Sequence, residues 1–457
     1  MFVSIILAAG EGTRMKSKVT KVLHKVCGKE IFKYVYEATK KAKIEKNIVV
    51  LSASSIESVK NSFSDESLVF VEQEKGENKP YGTGYAVMCA VDEIKDEDTV
   101  VILCGDGPLV KSETIENLIA VHEKNSNAAT VLTCIVNQPH GLGRIVRNSK
   151  NLVEKIVEEK DANEVEKTIN EINTGVYAFK GKMLKDSLKK IDTNNASGEY
   201  YLTDTLKVLN EDKYNIGVCI LEDETEMHAV NNRIQLADVT KLMRKRVNEK
   251  HMLAGVTLID PESTYIESDV VIGKDTIIEP NTYLEGNTVI GEDCVIGPNS
   301  RIINTKIGDR TSIDSSKTID AVVGDETTVG PFAYLRPKAK LGNNCKIGDF
   351  VEVKNAVLGN GSKSSHLAYI GDAEVGEKVN IGCGVVFVNY DGKNKNKTII
   401  KDGAFVGSNS NLIAPVTIEK EGYVACGSTI TDNVGEGDLA IARARQVNKE
   451  GRGKGRF

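Results

Sequence analysis

Beyond about residue 254 the aliphatic side chains fall on a six-residue period, a spacing that few folds accept. Ile272, Ile278, Leu284, Ile290, Ile296 and Ile302 share one strict register. A second run holds Val329, Leu335, Leu341, Ile347 and Val353, and a third holds Ile400, Val406, Leu412, Ile418, Val424 and Ile430. In a chain that is 40% apolar, six such residues in register arise by chance about 0.4% of the time. Glycine directly follows Ile272, Ile290, Ile296, Ile347, Val375 and Ile381. The pattern reads as a solenoid in which each hexapeptide forms one short strand and turn. One aliphatic points inward per side, and glycine relieves crowding at the corner. An all-β sandwich would alternate with period two instead. The register slips by one residue at Ile307, Val323, Leu358 and Val375, and NYDGKNKNK interrupts it between Phe387 and Ile400. Slips and insertions of this kind predict protruding loops on a binding face.

The period is absent from the first half. Fourteen of the 40 glycines precede residue 230 and 26 follow it. Apolar runs at 2–7, 48–51, 99–104, 129–136 and 216–221 alternate with helix-like stretches such as 31–43 and 112–124, which predicts an α/β domain with a mainly parallel sheet. A charged segment at about 231–253, apolar on spacings near three and four, predicts a connecting helix. The expected domains are 1–229, a linker helix at 230–253, and 254–457. A length of 457 residues suits two or three domains.

Lys plus Arg total 59 and Asp plus Glu 65, a formal charge of −6. That balance argues against a general nucleic-acid or anionic-membrane binder, whose affinity rests on a basic face. Nine scattered cysteines without a C-x-x-C pair give neither a disulfide framework nor a zinc ribbon. The apolar run from Phe2 to Ala9 is too short to span a membrane and lacks the basic flank of a signal peptide. The expected location is the cytoplasm.

Two stretches carry chemistry. Leu7-Ala8-Ala9-Gly10-Glu11-Gly12-Thr13-Arg14 follows the first strand, and Lys21 comes soon after. A glycine turn at the carboxyl end of a parallel strand lets backbone N–H groups approach a phosphate. Read alone it fits an ordinary tight turn equally, and it lacks both the third glycine of a dinucleotide fingerprint and a G-K-[ST]. Arg14 and Lys21 tilt it toward a polyphosphate. Asp106, in Gly105-Asp106-Gly107-Pro108-Leu109 just past another strand, stands where α/β sheets bind ligands and Mg²⁺, though it also suits a turn cap. These parts fit nucleotidyl transfer to an already ionised phosphate, which needs positive charge and no general base. In the solenoid, Arg336, Lys354, Ser365-His366-Leu367-Ala368-Tyr369, Asn380 and Asn389-Tyr390-Asp391-Gly392 are unusually polar. Acetyl transfer from a thioester to an amine needs a group that takes the ammonium proton near pH 7, and His366 is the candidate, although a lone histidine is commonly structural.

LAAGEGTRM, K21-V22-L23-H24, G82-T83-G84, G105-D106-x-P108-L109, G143-R144-I145, V157-E158-x-K160-D161, I172-N173-T174-G175, G198-E199-Y200-Y201-L202-T203-D204 and V230-N231-N232-R233 follow in order. With the solenoid to about Lys449, they resemble the bifunctional N-acetylglucosamine-1-phosphate uridylyltransferase and glucosamine-1-phosphate N-acetyltransferase family. The resemblance implies a Rossmann-like nucleotidyltransferase domain joined by a helix to a left-handed parallel β-helix of hexapeptide repeats. It implies that Leu7, Ala8, Ala9, Gly10, Gly12, Arg14 and Lys21 hold UTP, that Gln73, Gly82 and Thr83 read the uracil side, and that Gly143, Glu158 and Asn173 hold N-acetylglucosamine-1-phosphate. Asp106 and Asn231 would bind Mg²⁺. In the solenoid it makes His366 the base, Arg336, Lys354, Tyr369, Asn380 and Lys395 the glucosamine-1-phosphate contacts, and Cys383, Asn389, Tyr390, Ser408, Cys426 and Arg443 the acetyl-CoA contacts. It also implies a homotrimer with acetyltransferase sites built from neighbouring chains.

Several positions depart from the family pattern. Thr20 stands for a proline, Cys104 for an aromatic residue and Gly107 for an aliphatic one, and 75–81 reads as a short insertion before Gly82 that bears on Gln73. Cys383 and Cys426 replace alanine and would make the cofactor site sensitive to oxidation or alkylation. The basic tail after Arg443 reads as solvated. Two other readings stay open on the sequence: a single-activity hexose-1-phosphate nucleotidyltransferase whose solenoid regulates or oligomerises, and a non-enzymatic assembly scaffold.

Overall fold

The computed structural model describes residues 1–63, 65, 67–74 and 80–455, so 75–79 of the expected insertion and Arg456 of the tail lie outside the described residues. The chain divides into two compact units, Met1–Met243 and Arg244–Phe457.

The first unit is built on β1 (Phe2–Leu7), β2 (Lys46–Ser52), β3 (Leu68–Gln73), β4 (Thr99–Cys104), β5 (Ala129–Ile135), β6 (Arg144–Arg147), β7 (Val153–Val157), β8 (Glu171–Lys180) and β9 (Ile216–Leu221). The main sheet runs β9-β5-β8-β4-β1-β2-β3, and β6 and β7 form a hairpin that joins it through β8. Pairings are parallel except at β8, which is antiparallel to both β4 and β5. Alternation of side chains explains why the strands read as continuous apolar runs. Val3, Ile5, Val100 and Ile102 enter one core, while Ile6, Val101 and Leu103 enter another on the opposite face. Helices α1 (Ile31–Lys41) and α4 (Ser112–Lys124) cover the second face, and α3 (Thr83–Met88), α5 (Gly181–Leu188) and α6 (Asp204–Glu211) the first. α2 (Ala53–Ser62) connects β2 to β3. The long helix α7 (Arg233–Leu253) corresponds to the segment expected to be a connecting helix.

The second unit is one parallel β-helix of short strands, three to a coil. Ile278 pairs with Ile296 and Leu284 with Ile302, so the inward position returns after three hexapeptides. The periodic aliphatics are its core: Ile278, Leu284, Ile296, Ile302, Leu335, Ile347, Val406 and Leu412 have no accessible surface. The slips do not make protruding loops, contrary to expectation. They shorten the coil, so that Ile307 pairs with Val323 and Leu341 with Leu358, each closer along the chain than the Ile278–Ile296 pair. A corner can lose a residue while the inward rungs stay aligned, because ladder bonds and core packing fix the strands and not the turns. The insertion lengthens its coil instead, and the Phe387–Leu412 pair encloses the whole of NYDGKNKNK. Two long strands cross the corners here, β10 (Lys346–Leu358) and β11 (Lys363–Val375), paired in register from end to end. Among the described residues no helix is long and apolar enough to cross a membrane, and all nine cysteines are thiols outside any disulfide.

Candidate active sites in the two units

In the α/β unit the strand ends build an open cleft of about 210 Å³. The end of β1 supplies Leu7, Ala8, Ala9 and Gly10 to its wall; Lys21, Gln73, Gly82, Thr83, Cys104 and Asp106 also line it. Gly12 adopts φ 61°, and a Cβ there would lie 2.8 Å from the Lys21 Cβ, so only glycine lets the turn close over the lysine. The amide of Gly105 donates to the Leu7 carbonyl (2.8 Å) and that of Val230 to the Asp106 carbonyl (2.9 Å). These bonds tie the segments bearing Asp106 and Asn231 to the end of β1. The Lys21 ammonium is paired with Asp106 Oδ2 and donates to Asn231 Oδ1 at 3.2 Å. Arg14 donates to the same Asn231 oxygen at 3.1 Å. Four of the expected residues therefore form one cluster of two cations and two oxygen donors.

Gln73, in doubt because of the neighbouring insertion, ends β3 and is 3% exposed in the cleft wall. Gly82 (φ 115°) opens α3, with its absent Cβ 2.9 Å from the Tyr200 nitrogen. Thr83 Oγ1 accepts from the Leu202 amide at 3.1 Å. Glu199, which sequence reasoning did not single out, also lines the cleft.

Gly143, Glu158 and Asn173 come together where the β6–β7 hairpin meets β8. The Asn173 amide donates to the Gly143 carbonyl (2.9 Å), and a Cβ on Gly143 would lie 3.3 Å from Glu158 Oε2. Asn173 Nδ2 donates to the hydroxyl of buried Tyr177 (2.7 Å). Burial raises the Glu158 carboxyl above its ordinary value, against a hydrogen bond from Thr203. Cys104, at the end of β4, lies between this group and Asp106, with its sulfur 3.2 Å from where a Cβ of Gly175 would be. Burial, with the charge of Asp106, pushes its thiol up to about 12, so it stays protonated and unreactive. Gly107 carries only backbone 3.8 Å from an added Cβ.

In the β-helical unit the polar residues form two groups. The first is a single file. Asp349 and His366 are register partners on β10 and β11. The Gly384 amide donates to the Leu367 carbonyl (2.6 Å) and the Asn409 amide to the Cys383 carbonyl (2.7 Å), which brings Cys383 and Ser408 next in file on the following coils. A Cβ on Gly407 would meet the Cys426 backbone, which extends the file to Cys426. Adjacent rungs of a parallel sheet lie about 4.8 Å apart, so the file is a straight row down one corner of the coil. His366 Nδ1 lies 2.7 Å from Asp349 Oδ1, and its side chain is 63% exposed. Cys383 and Cys426 are exposed, and Arg443 packs beyond Cys426 with its Cδ 3.9 Å from the Cβ position of Gly427. Asn380 begins the strand before Cys383.

The second group occupies the next side of the coil. Buried Asp372 accepts from Lys354 (3.1 Å), from Asn355 (2.6 Å) and from Asn389, whose amide also reaches the Tyr369 hydroxyl at 3.5 Å. Gly371 leaves room for the Tyr369 ring, whose Cζ would be 2.6 Å from a Cβ there. Arg336, register neighbour of Lys354, donates to Glu352 at 2.7 Å. The inserted loop folds back through a bridge between Tyr390 and Lys395 and brings Lys395 against Lys354. Contact with Lys354 lowers the Lys395 ammonium below its ordinary value, while Lys395 and then Asp372 raise that of Lys354. Burial works to raise Asp372, but the bonds from Asn355, Lys354 and Asn389 hold it below the usual carboxylate range. No hydrogen bond or ion pair among the described residues joins this group to the His366 file. Asp349, Glu352 and Asp372 are functional candidates that sequence reasoning missed; Asp372 had a signal, as a carboxylate in the apolar run Ile370-Gly371-Asp372-Ala373.

A nucleotidyl transferase family model matches residues 3–227, and a bacterial transferase hexapeptide model of six repeats matches 269–304 and 320–355. The bifunctional protein GlmU of Clostridioides difficile is 55% identical over 98% of this chain and 97% of its own length. That of Alkaliphilus oremlandii is 55% identical, and that of Clostridium perfringens 52%, over the same shares of both chains. With a nucleotidyltransferase fold and a hexapeptide β-helix on one chain, and this identity across both, the protein belongs to the bifunctional GlmU family.

Proposed function

We propose that the chain makes UDP-N-acetylglucosamine in two steps. Glucosamine-1-phosphate is acetylated by acetyl-CoA in the β-helical unit, and UMP is then transferred from UTP to N-acetylglucosamine-1-phosphate in the α/β unit. The observation that carries the reading is the meeting of Lys21, Arg14, Asp106 and Asn231 under a glycine turn at the end of β1. A passive scaffold has no use for that cluster, nor has a regulatory coil for the His366 file.

In the first unit, a phosphate oxygen of the sugar attacks the α-phosphorus of UTP, the bond to the β-phosphate oxygen breaks, and pyrophosphate leaves. The nucleophile is already ionised, so Arg14 and Lys21 contribute charge stabilisation and no proton transfer. Leu7, Ala8, Ala9, Gly10 and Gly12 receive the triphosphate side, Gln73, Gly82 and Thr83 the uracil, and Gly143, Glu158 and Asn173 the N-acetylglucosamine. The oxygens of Asp106 and Asn231 converge on one cationic atom, the Lys21 ammonium; such a pair of hard oxygen ligands would hold Mg²⁺. Bound Mg²⁺ supplies positive charge to the phosphates.

In the second unit, His366 takes a proton from the glucosamine ammonium, the amine attacks the thioester carbonyl, and the carbon–sulfur bond breaks as the nitrogen gives up its second proton, which leaves with CoA as its thiol. Arg336, Lys354, Tyr369, Asn380 and Lys395 hold the sugar phosphate. Cys383, Asn389, Tyr390, Ser408, Cys426 and Arg443 hold acetyl-CoA. Phe332 and Phe350, stacked at 5.5 Å and 58% and 59% exposed, continue to Leu367, 57% exposed. This apolar stripe beside His366 suits a homotrimer interface, with each site shared between chains. The functional division is 1–229 for uridylyl transfer, 230–253 as linker and 254–457 for acetyl transfer, in a cytoplasmic enzyme. Mass spectrometry of products from glucosamine-1-phosphate, acetyl-CoA and UTP supplied together tests the proposal. UDP-N-acetylglucosamine is expected, and its absence, with either substrate unconsumed, would defeat it.

A further inference from the structure

We propose that Asp349 positions His366, holding the imidazole in the tautomer and orientation that acetyl transfer requires; the proposal rests on the reading of His366 as the base. The two residues are register partners on adjacent rungs of β10 and β11. Glycine at 348 allows the rungs to meet here, since a Cβ on Gly348 would stand 3.0 Å from the Ser365 Cα. The following residues, Phe350 and Leu367, both turn away through positive φ, 58° and 31°, which leaves Asp349 and His366 standing together at the corner.

The carboxylate oxygen lies 2.7 Å from His366 Nδ1. A carboxylate accepts and cannot donate, so the proton of the neutral ring sits on Nδ1 and the lone pair on Nε2 is left for the substrate ammonium. With 63% of its side chain exposed, an imidazole without this partner would divide its time among rotamers and tautomers. When Nε2 accepts the proton, the adjacent carboxylate stabilises the imidazolium that forms. The groups around the ring agree with this role: Asp349 faces it from the preceding rung, the following rung brings Cys383 alongside through the bond from the Gly384 amide to the Leu367 carbonyl, and Ser365 and Leu367 flank it on its own strand. The hydrogen bond to His366 holds the Asp349 carboxyl below its ordinary value, so it is ionised throughout the working range.

The test uses the full-length variants Asp349→Asn, Asp349→Glu, His366→Ala and the Asn/Ala double variant. Acetyl transfer is followed by CoA thiol release, and UMP transfer serves as the folding check. Asp349→Asn is expected to lower kcat roughly 10- to 100-fold with little change in KM. The loss should fall on kcat because the change frees the ring of the base and leaves the sugar-phosphate contacts in place. Asp349→Glu, which keeps the accepting carboxylate, should recover much of kcat, and the double variant should be no slower than His366→Ala alone. Wild-type kcat in Asp349→Asn, a loss carried by KM instead of kcat, or failure of Asp349→Glu to recover kcat, would overturn the positioning role. Full acetylation by His366→Ala would instead overturn the reading beneath it.

Discussion

Gly12→Ala isolates the geometry on which uridylyl transfer depends. At φ 61° an alanine pays the left-handed penalty, about 1–2 kcal/mol. Its Cβ would also sit 2.8 Å from the Lys21 Cβ, where ordinary contact begins at 3.4 Å, so the turn and the lysine must part by about 0.6 Å or more. That movement is transmitted to the ammonium that bridges Asp106 and Asn231. A misplacement of about 1 Å in a positioning group costs on the order of 100-fold in rate. The expected outcome is a loss of roughly that size in pyrophosphate release from UTP and N-acetylglucosamine-1-phosphate, with stability lowered by only about 1–2 kcal/mol. Acetyl transfer in the same preparation is the internal control and should be unchanged. Normal pyrophosphate release by Gly12→Ala would refute the claim that this turn and Lys21 form one device.

Further outcomes follow from other parts of the structure. Asp372→Asn removes the charge that gathers Lys354, Asn355 and Asn389 and should lower kcat/KM for acetyl transfer roughly 10- to 100-fold, read in the CoA-release assay. Asp372 lies below the usual carboxylate range when folded, so its stabilisation is present above that range and is lost as pH falls through the folded value. His122, fully buried between α4 and β5, is lowered by burial from 6.5 to about 4. The unfolded chain therefore takes the proton first as pH falls, and the α/β unit should lose about 3 kcal/mol between pH 7 and 4. His122→Gln should flatten this loss, as measured by hydrogen exchange of the α4 and β5 amides. Phe387→Ala, which empties a fully buried rung beside the insertion, should cost about 3–5 kcal/mol by denaturant unfolding and diminish acetyl transfer. EDTA should abolish UMP transfer and spare acetyl transfer.

The β-helix was legible because one physical rule, a single inward aliphatic per side, repeats without competition from tertiary context. Ile278, Leu284 and Ile296 point inward as the period requires. Strands 2–7, 99–104 and 216–221 and helix 112–124 were equally plain as apolar runs and an amphipathic stretch. The β6–β7 hairpin and antiparallel β8 were not, because β8 carries the polar Asn173-Thr174-Gly175 at its centre and breaks register between Asn173 and Tyr177. The slips misled for a similar reason: a one-residue change in sequence period looks the same whether a corner gains a loop or loses a turn residue. Within the sites, the cations, the glycines and Asp106 beside strands were visible, while the carboxylates that organise the β-helical site were not. Asp349 meets His366 only after a full turn of the coil, and Asp372 meets Asn389 across the next. Contacts of that span are set by the pitch of the coil, so local motifs do not announce them.

The claim of two chemically separate sites on one chain is tested most directly by assaying both half-reactions in Lys21→Ala and His366→Ala. Lys21→Ala should lose pyrophosphate release and keep CoA release, and His366→Ala should do the reverse. Loss of both activities in either folded variant, or of neither, would contradict it.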